Sequence, residues 1–186
     1  MNLYRLNKLL FFCIYLICTH PFILHSEKFE MELTGGGSTK WEFFSDQVMG
    51  GKSKGNFQRI TEGNINFVRL NGYVTTENNG GFIQIRSNVL NLSENIKGIS
   101  LKVRGNGQRY YVFVRTTGTL LPWQYYRADF PTTSDWTHLN LDFEDFVRSS
   151  FWLKKMLSPS TIKSVGIVAF GRNHKAEVDL AEVSFF

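Results

Sequence analysis

The chain of 186 residues is poor in reactive groups. It has two cysteines, Cys13 and Cys18, and four histidines, of which His20 and His25 also lie near the N-terminus. Two cysteines exclude a disulfide-built scaffold, and a chain of this length buries enough surface to need none. There is no H-x-x-x-H or C-x-x-C spacing, so no metal site is expected. Long apolar runs are missing too. Residues 9–18 form a run of about ten, half of what a membrane span needs. That run follows Arg5 and Lys8, the layout of a signal-peptide n-region and h-region. Residues 1–26 are therefore expected to be a secretory leader or an uncleaved N-terminal anchor, with Ser26 as a small residue at the cleavage point. The implied location is exported (periplasmic or extracellular) or membrane-anchored. A mitochondrial presequence fits less well, because such segments are Arg-rich and amphipathic.

An excess of one charge is lacking as well. The chain has 21 Lys+Arg against 16 Asp+Glu. Without the leader it keeps no thiol, only His138 and His174, and a charge of +3. Nothing in that balance suggests the clustered basic surface of a nucleic-acid binder. Nucleophilic catalysis needs a base beside its nucleophile. His138 falls in an alternating strand and His174 in the turn 171–175, neither beside a motif. Gly51-Lys52-Ser53 resembles the end of a phosphate loop, but Asp46 stands where the first glycine is required. Gly105-Asn106-Gly107 has Tyr110 where a dinucleotide fingerprint has its third glycine. Glu144 and Asp145 are adjacent and point apart, as in a solvated turn rather than a glycosidase pair. Neither an enzyme nor a cofactor is expected.

What the chain does have is 17 Phe, 16 Gly, seven Tyr and four Trp. Period-two patterns recur between turn signals. Strands are expected at 65–70, 82–86, 99–103, 110–115, 123–130, 136–141, 165–170 and 178–186. The unbroken apolar run 165–170 suggests a strand buried on both faces. Helix is scarce; 146–157 has room for one turn or more, and Ser158-Pro159 begins another short one. Residues 27–40, ending in Gly35-Gly36-Gly37, read as a linker before one domain at 41–186. The spacing predicts an all-β fold, an antiparallel β-sandwich of the jelly-roll kind. Asn91-Leu92-Ser93 is a formal glycosylation sequon.

The segment WEFFSDQVMGGKS, from Trp41 to Ser53, resembles the opening of the complex I intermediate-associated protein 30 family, whose motif runs W-x-x-x-x-D-x-V-M-G-G-x-S. The likeness continues through Asn79-Gly80-Gly81-Phe82, Val103-Arg104-Gly105-Asn106-Gly107 with Tyr110, then Trp136, Leu141, Phe143 and Phe146, to the last strands. Asn106 stands where the family commonly has Asp, and Asp142 where Pro is common. The resemblance implies a galactose-binding-domain-like sandwich without catalysis or cofactor, and a role in holding complex I assembly intermediates. Related folds bind carbohydrate.

The motif has a structural reading. Gly50 and Gly51 permit positive φ or close backbone approach. Asp46 and Ser53 offer side-chain bonds to turn amides. Trp41 and Met49 are expected to bury against the opposite sheet, and Gly80, Gly81, Gly105 and Gly107 to form further turns. The motif then shapes a corner of the fold. The partner surface is expected elsewhere, at Arg104, Arg115, Trp123 and Tyr125, since Trp, Tyr and Arg dominate interface hot spots. The partner is a protein, during respiratory complex assembly, or alternatively a carbohydrate held by an exported module. The leader would bring the domain near a membrane.

Overall fold

The computed structural model describes residues 28–30, 33–34 and 40–186, with side chains from Lys40 onward. The expected leader lies outside the described residues. Strands dominate, in the order β1 (Lys28–Glu30), β2 (Leu33–Thr34), β3 (Lys40–Ser45), β4 (Lys54–Glu62), β5 (Ile65–Val74), β6 (Phe82–Asn88), β7 (Gly98–Gly105), β8 (Arg109–Thr116), β9 (Tyr126–Pro131), β10 (Thr137–Asp142), β11 (Val147–Arg148), β12 (Ile162–Phe170) and β13 (His174–Phe185). They build two sheets, ordered β1-β3-β6-β12-β8-β9-β11 and β10-β7-β13-β5-β4. Pairing is antiparallel except for β2, which lies parallel to β13. Strands β1 and β2 fall within the stretch 27–40 and pair with β3 and β13.

Alternation decides which residues enter the core. From the seven-stranded sheet come Trp41, Ile83, Ile85, Tyr110, Val112, Val114 and Ile167; from the other come Leu70, Val74, Ile99, Leu101, Val103, Val178 and Leu180, all at or near zero exposure. Strand β12, which carries the unbroken apolar run, is the central strand of its sheet, and Val165 to Ala169 are buried throughout. Val168, opposite Tyr111 of β8 in register, is also at zero exposure although alternation turns it to the outer face.

Two local expectations change. Residues 146–157 form no helix. Val147–Arg148 pair with β9 as the sheet edge, and the Arg148 guanidinium donates to the carbonyls of Phe151 and Leu153 at 3.0 and 2.6 Å. A side chain thus satisfies carbonyls that a helix would have bonded to backbone N–H groups. Buried Leu153 and Leu157, four apart, imitate a helical stripe while anchoring an irregular loop. Residues 123–125 belong to the turn ahead of β9, held by Gln124, whose Oε1 accepts from the N–H groups of Leu120 and Leu121.

Candidate functional site

The motif beginning at Trp41 folds around a buried carboxylate. Asp46 opens a 3₁₀ turn, Asp46–Met49, and is wholly buried. Its Oδ1 accepts from the Ser53 N–H at 2.9 Å. Its Oδ2 accepts from the Ser53 hydroxyl at 2.5 Å, the Gly81 N–H at 2.5 Å and the Phe82 N–H at 3.2 Å. Ser53 Oγ in turn accepts from the Thr75 N–H at 3.0 Å. One carboxylate therefore ties β4, β5 and β6 together. The glycines make room for it. A Cβ at Gly51 would lie 2.3 Å from the Asp46 carboxyl carbon, and one at Gly80 2.4 Å from Oδ2. Gly81 has φ of +132°, which aims its N–H at Asp46. Trp41 is buried as expected, but Met49 is not. Gly50 ends the turn in the left-handed region at φ 85°, and Met49 is left 55% exposed above the sheet.

That corner forms one wall of a cleft of about 660 Å³ on the outer face of the seven-stranded sheet. Its floor follows the pleat. Phe44 comes from β3, Phe82, Gln84 and Arg86 from β6, Phe170 from β12, and Phe113 and Arg115 from β8. Tyr125 stacks on Phe113 at 4.0 Å with planes 10° apart, and Phe170 meets Phe113 edge-on at 5.3 Å. Val48 and Met49 form one rim, Pro122 and Trp123 another; Trp123 is 62% exposed.

The polar groups in this apolar cleft have distinct tasks. Arg115 donates to the carbonyls of Thr119, Leu121 and Pro122 at 2.9–3.1 Å, which fixes the loop that carries Trp123. Arg86 lies 4.2 Å over the Phe44 ring and makes no hydrogen bond among the described residues. Burial, and then the charge of Arg115, pull its pKa down, against the pull of Glu42. Burial likewise raises the Tyr125 phenol. Arg86 remains charged at any relevant pH, so the cleft holds a guanidinium with unused donors on an aromatic bed.

The four residues expected on the partner surface do not all meet. Arg115, Trp123 and Tyr125 line the cleft. Arg104 lies on β7 in the other sheet, where it pairs with Asp179 and Glu62 and sits 4.7 Å over the Trp136 ring. Gly105 ends β7, where a Cβ would crowd the Glu177 carbonyl, and Gly107 occupies the following turn at φ 77°. Between them Asn106 accepts from the Tyr110 hydroxyl and donates to the Lys175 carbonyl, the second of which an aspartate would not do. Arg86, Gln84, Phe44 and Phe170 were not singled out by the sequence. Their signal was present, since Phe82, Gln84 and Arg86 alternate with Ile83 and Ile85. One strand's alternation does not say which outer face is hollowed.

His174 is buried, with Nδ1 2.8 Å from the Arg172 carbonyl. Among the described residues no group of three or more His, Cys, Asp or Glu side chains is arranged to hold a metal ion. No helix among them is long and apolar enough to cross a membrane.

The family model of complex I intermediate-associated protein 30 (CIA30) matches residues 29–181. No curated protein matches. Similar solved structures include the family 11 carbohydrate-binding module of the cellulosomal cellulase Lic26A-Cel5E of Clostridium thermocellum, at 12% identity and TM-score 0.64, covering 85% of this chain and 93% of that one. A family 11 module from Clostridium thermocellum in complex with a β-1,3-1,4-mixed-linked tetrasaccharide has 14% identity and TM-score 0.61, covering 77% and 86%. A family 30 carbohydrate-binding module has 13% identity and TM-score 0.52, covering 85% and 94%. At these identities the likeness is one of fold.

Proposed function

The chain belongs to the complex I intermediate-associated protein 30 (CIA30) family, and from that premise we propose that it is a non-catalytic binding module whose cleft holds a segment of a partner protein during respiratory complex assembly. The observation that carries this reading is the composition of the cleft. Val48, Met49, Pro122 and Trp123 present apolar surface around Arg86, whose guanidinium makes no hydrogen bond among the described residues. That combination suits an extended apolar segment bearing a carboxylate, since a carboxylate accepts two parallel bonds from a guanidinium. Exposed aromatic and Met side chains ringed by polar groups are the usual marks of a protein contact.

Affinity purification from detergent extract, followed by native gels probed for complex I subunits, tests this. Wild-type chain is expected to recover an assembly intermediate, and Trp123→Ala and Arg86→Glu to lose it. Equal recovery by the variants would remove the cleft from the account.

A second reading rests on the ring faces. Trp123 is open to solvent at the rim, and Gln84 and Arg86 supply planar hydrogen-bonding groups below, an arrangement that also fits a sugar chain in an exported module. Calorimetric titration with a mixed-linked β-glucan tetrasaccharide separates the two. Saturable heat lost in Trp123→Ala would favour carbohydrate, and absence of heat at millimolar sugar would exclude this ligand.

A further inference from the structure

A second exposed aromatic surface lies outside the cleft, after edge strand β11. The Leu153 N–H donates to the Ser150 carbonyl at 3.1 Å, closing a tight turn. Its two corners are Phe151 and Trp152, 72% and 78% exposed. Turn corners are ordinarily Gly, Pro, Asn or Asp, which solvate well; two large apolar rings left this exposed carry a hydration cost. The rings contact each other, with centroids 4.5 Å apart. Met156, just beyond, is 56% exposed.

The turn is held in shape rather than hanging free. Arg148 bonds the carbonyls of Phe151 and Leu153, the Tyr126 hydroxyl donates to the Lys154 carbonyl at 2.9 Å, and Leu153 and Leu157 are buried on either side. Charge gives the surface a sign. Lys154 and Lys155 follow the rings across buried Leu153 and are exposed; exposed Glu144 and Asp145 precede β11, and no Asp or Glu occurs from residue 146 to residue 176. At the far end of the segment, the carboxylate of Glu94 is bound by the hydroxyls of Ser158 and Ser160.

We propose that this turn docks the domain on an anionic lipid bilayer, with Phe151 and Trp152 in the headgroup boundary and Lys154 and Lys155 on lipid phosphates. Aromatic rings favour that boundary, and lysines reach the phosphates while their stems cover apolar surface. The proposal is independent of what fills the cleft, because it uses none of the cleft residues.

The test is quenching of tryptophan emission by brominated phosphatidylcholine vesicles, with and without about a third phosphatidylserine. The full chain is expected to be quenched on the anionic vesicles, less so in high salt. Trp152→Phe should lose most of that quenching. Lys154→Ala with Lys155→Ala should weaken partitioning roughly 30-fold, about fivefold per lysine. Unchanged urea midpoints for these exposed positions would show that folding is intact. If Trp152→Phe is quenched as strongly as wild type, another surface makes the contact and the proposal fails. It fails equally if neutral vesicles bind as well as anionic ones, or if no vesicle binds.

Discussion

Removing the Asp46 carboxylate while filling the space beside it tests the physical reading of the VMGG motif. In Asp46→Ala the N–H groups of Ser53, Gly81 and Phe82 lose their acceptor in a buried site. An unsatisfied buried donor costs about 1–3 kcal/mol, so the variant should lose about 3–5 kcal/mol after partial relaxation. Gly80→Ala puts a methyl 2.4 Å from Oδ2; overpacking of that kind costs about 1–3 kcal/mol. In the double variant both Asp46 atoms near that methyl are gone, and the nearest remaining contact is the Gly51 Cα at 3.1 Å. The second substitution should then cost under about 1 kcal/mol, giving a coupling of about 1–2 kcal/mol. Urea unfolding at a constant m-value measures all four corners of the cycle. Additive costs would refute the claim that Gly80 exists to accommodate Asp46.

Three further outcomes follow from other contacts. Burial raises the Tyr110 phenol to about 12. Its folded pKa exceeds its unfolded value, so its contribution is complete below about pH 10 and is lost between about 10 and 12, on the order of 2–3 kcal/mol. Tyr110→Phe should flatten that alkaline slope in pH-dependent denaturation, and a slope unchanged in the variant would reassign it. Burial lowers the His174 pKa, so the native state disfavours the proton. That stability is present above the unfolded value of 6.5 and falls as pH drops below it, and His174→Phe should remove the dependence. Arg115→Ala should release the 119–122 loop and cost about 1–3 kcal/mol for bonds from a charged donor. Arg115→Lys should not restore it, because one ammonium lacks the geometry to reach all three carbonyls; full rescue in thermal melts would contradict that assignment.

Most of the sandwich was legible because alternation in 82–86, 99–103 and 110–115 leaves one face apolar, and because β12 announces its central position by a run with no polar face. The loop 146–157 was not legible. Leu153 and Leu157 imitate a helix, and the competing term is a long-range pairing of Val147–Arg148 with β9 that no local window contains. Within the site, the corner role of Asp46 and the glycines followed from residue chemistry, whereas the outward turn of Met49 depends on the left-handed Gly50. Arg104 and Arg115 look alike in sequence, each on an alternating strand. Which sheet each joins, and whether a carboxylate such as Asp179 awaits it, is a property of the assembled topology.

The central claim is that the cleft of the seven-stranded sheet, not the charged face of the other sheet, receives the partner. A photocrosslinking amino acid placed at exposed Val48 on the cleft rim, and in a parallel chain at exposed Tyr73 on the six-stranded sheet, tests it in cells. The account predicts a crosslinked peptide of a respiratory-assembly protein from position 48 and none from 73. The same peptide captured from 73, with position 48 silent, would contradict it.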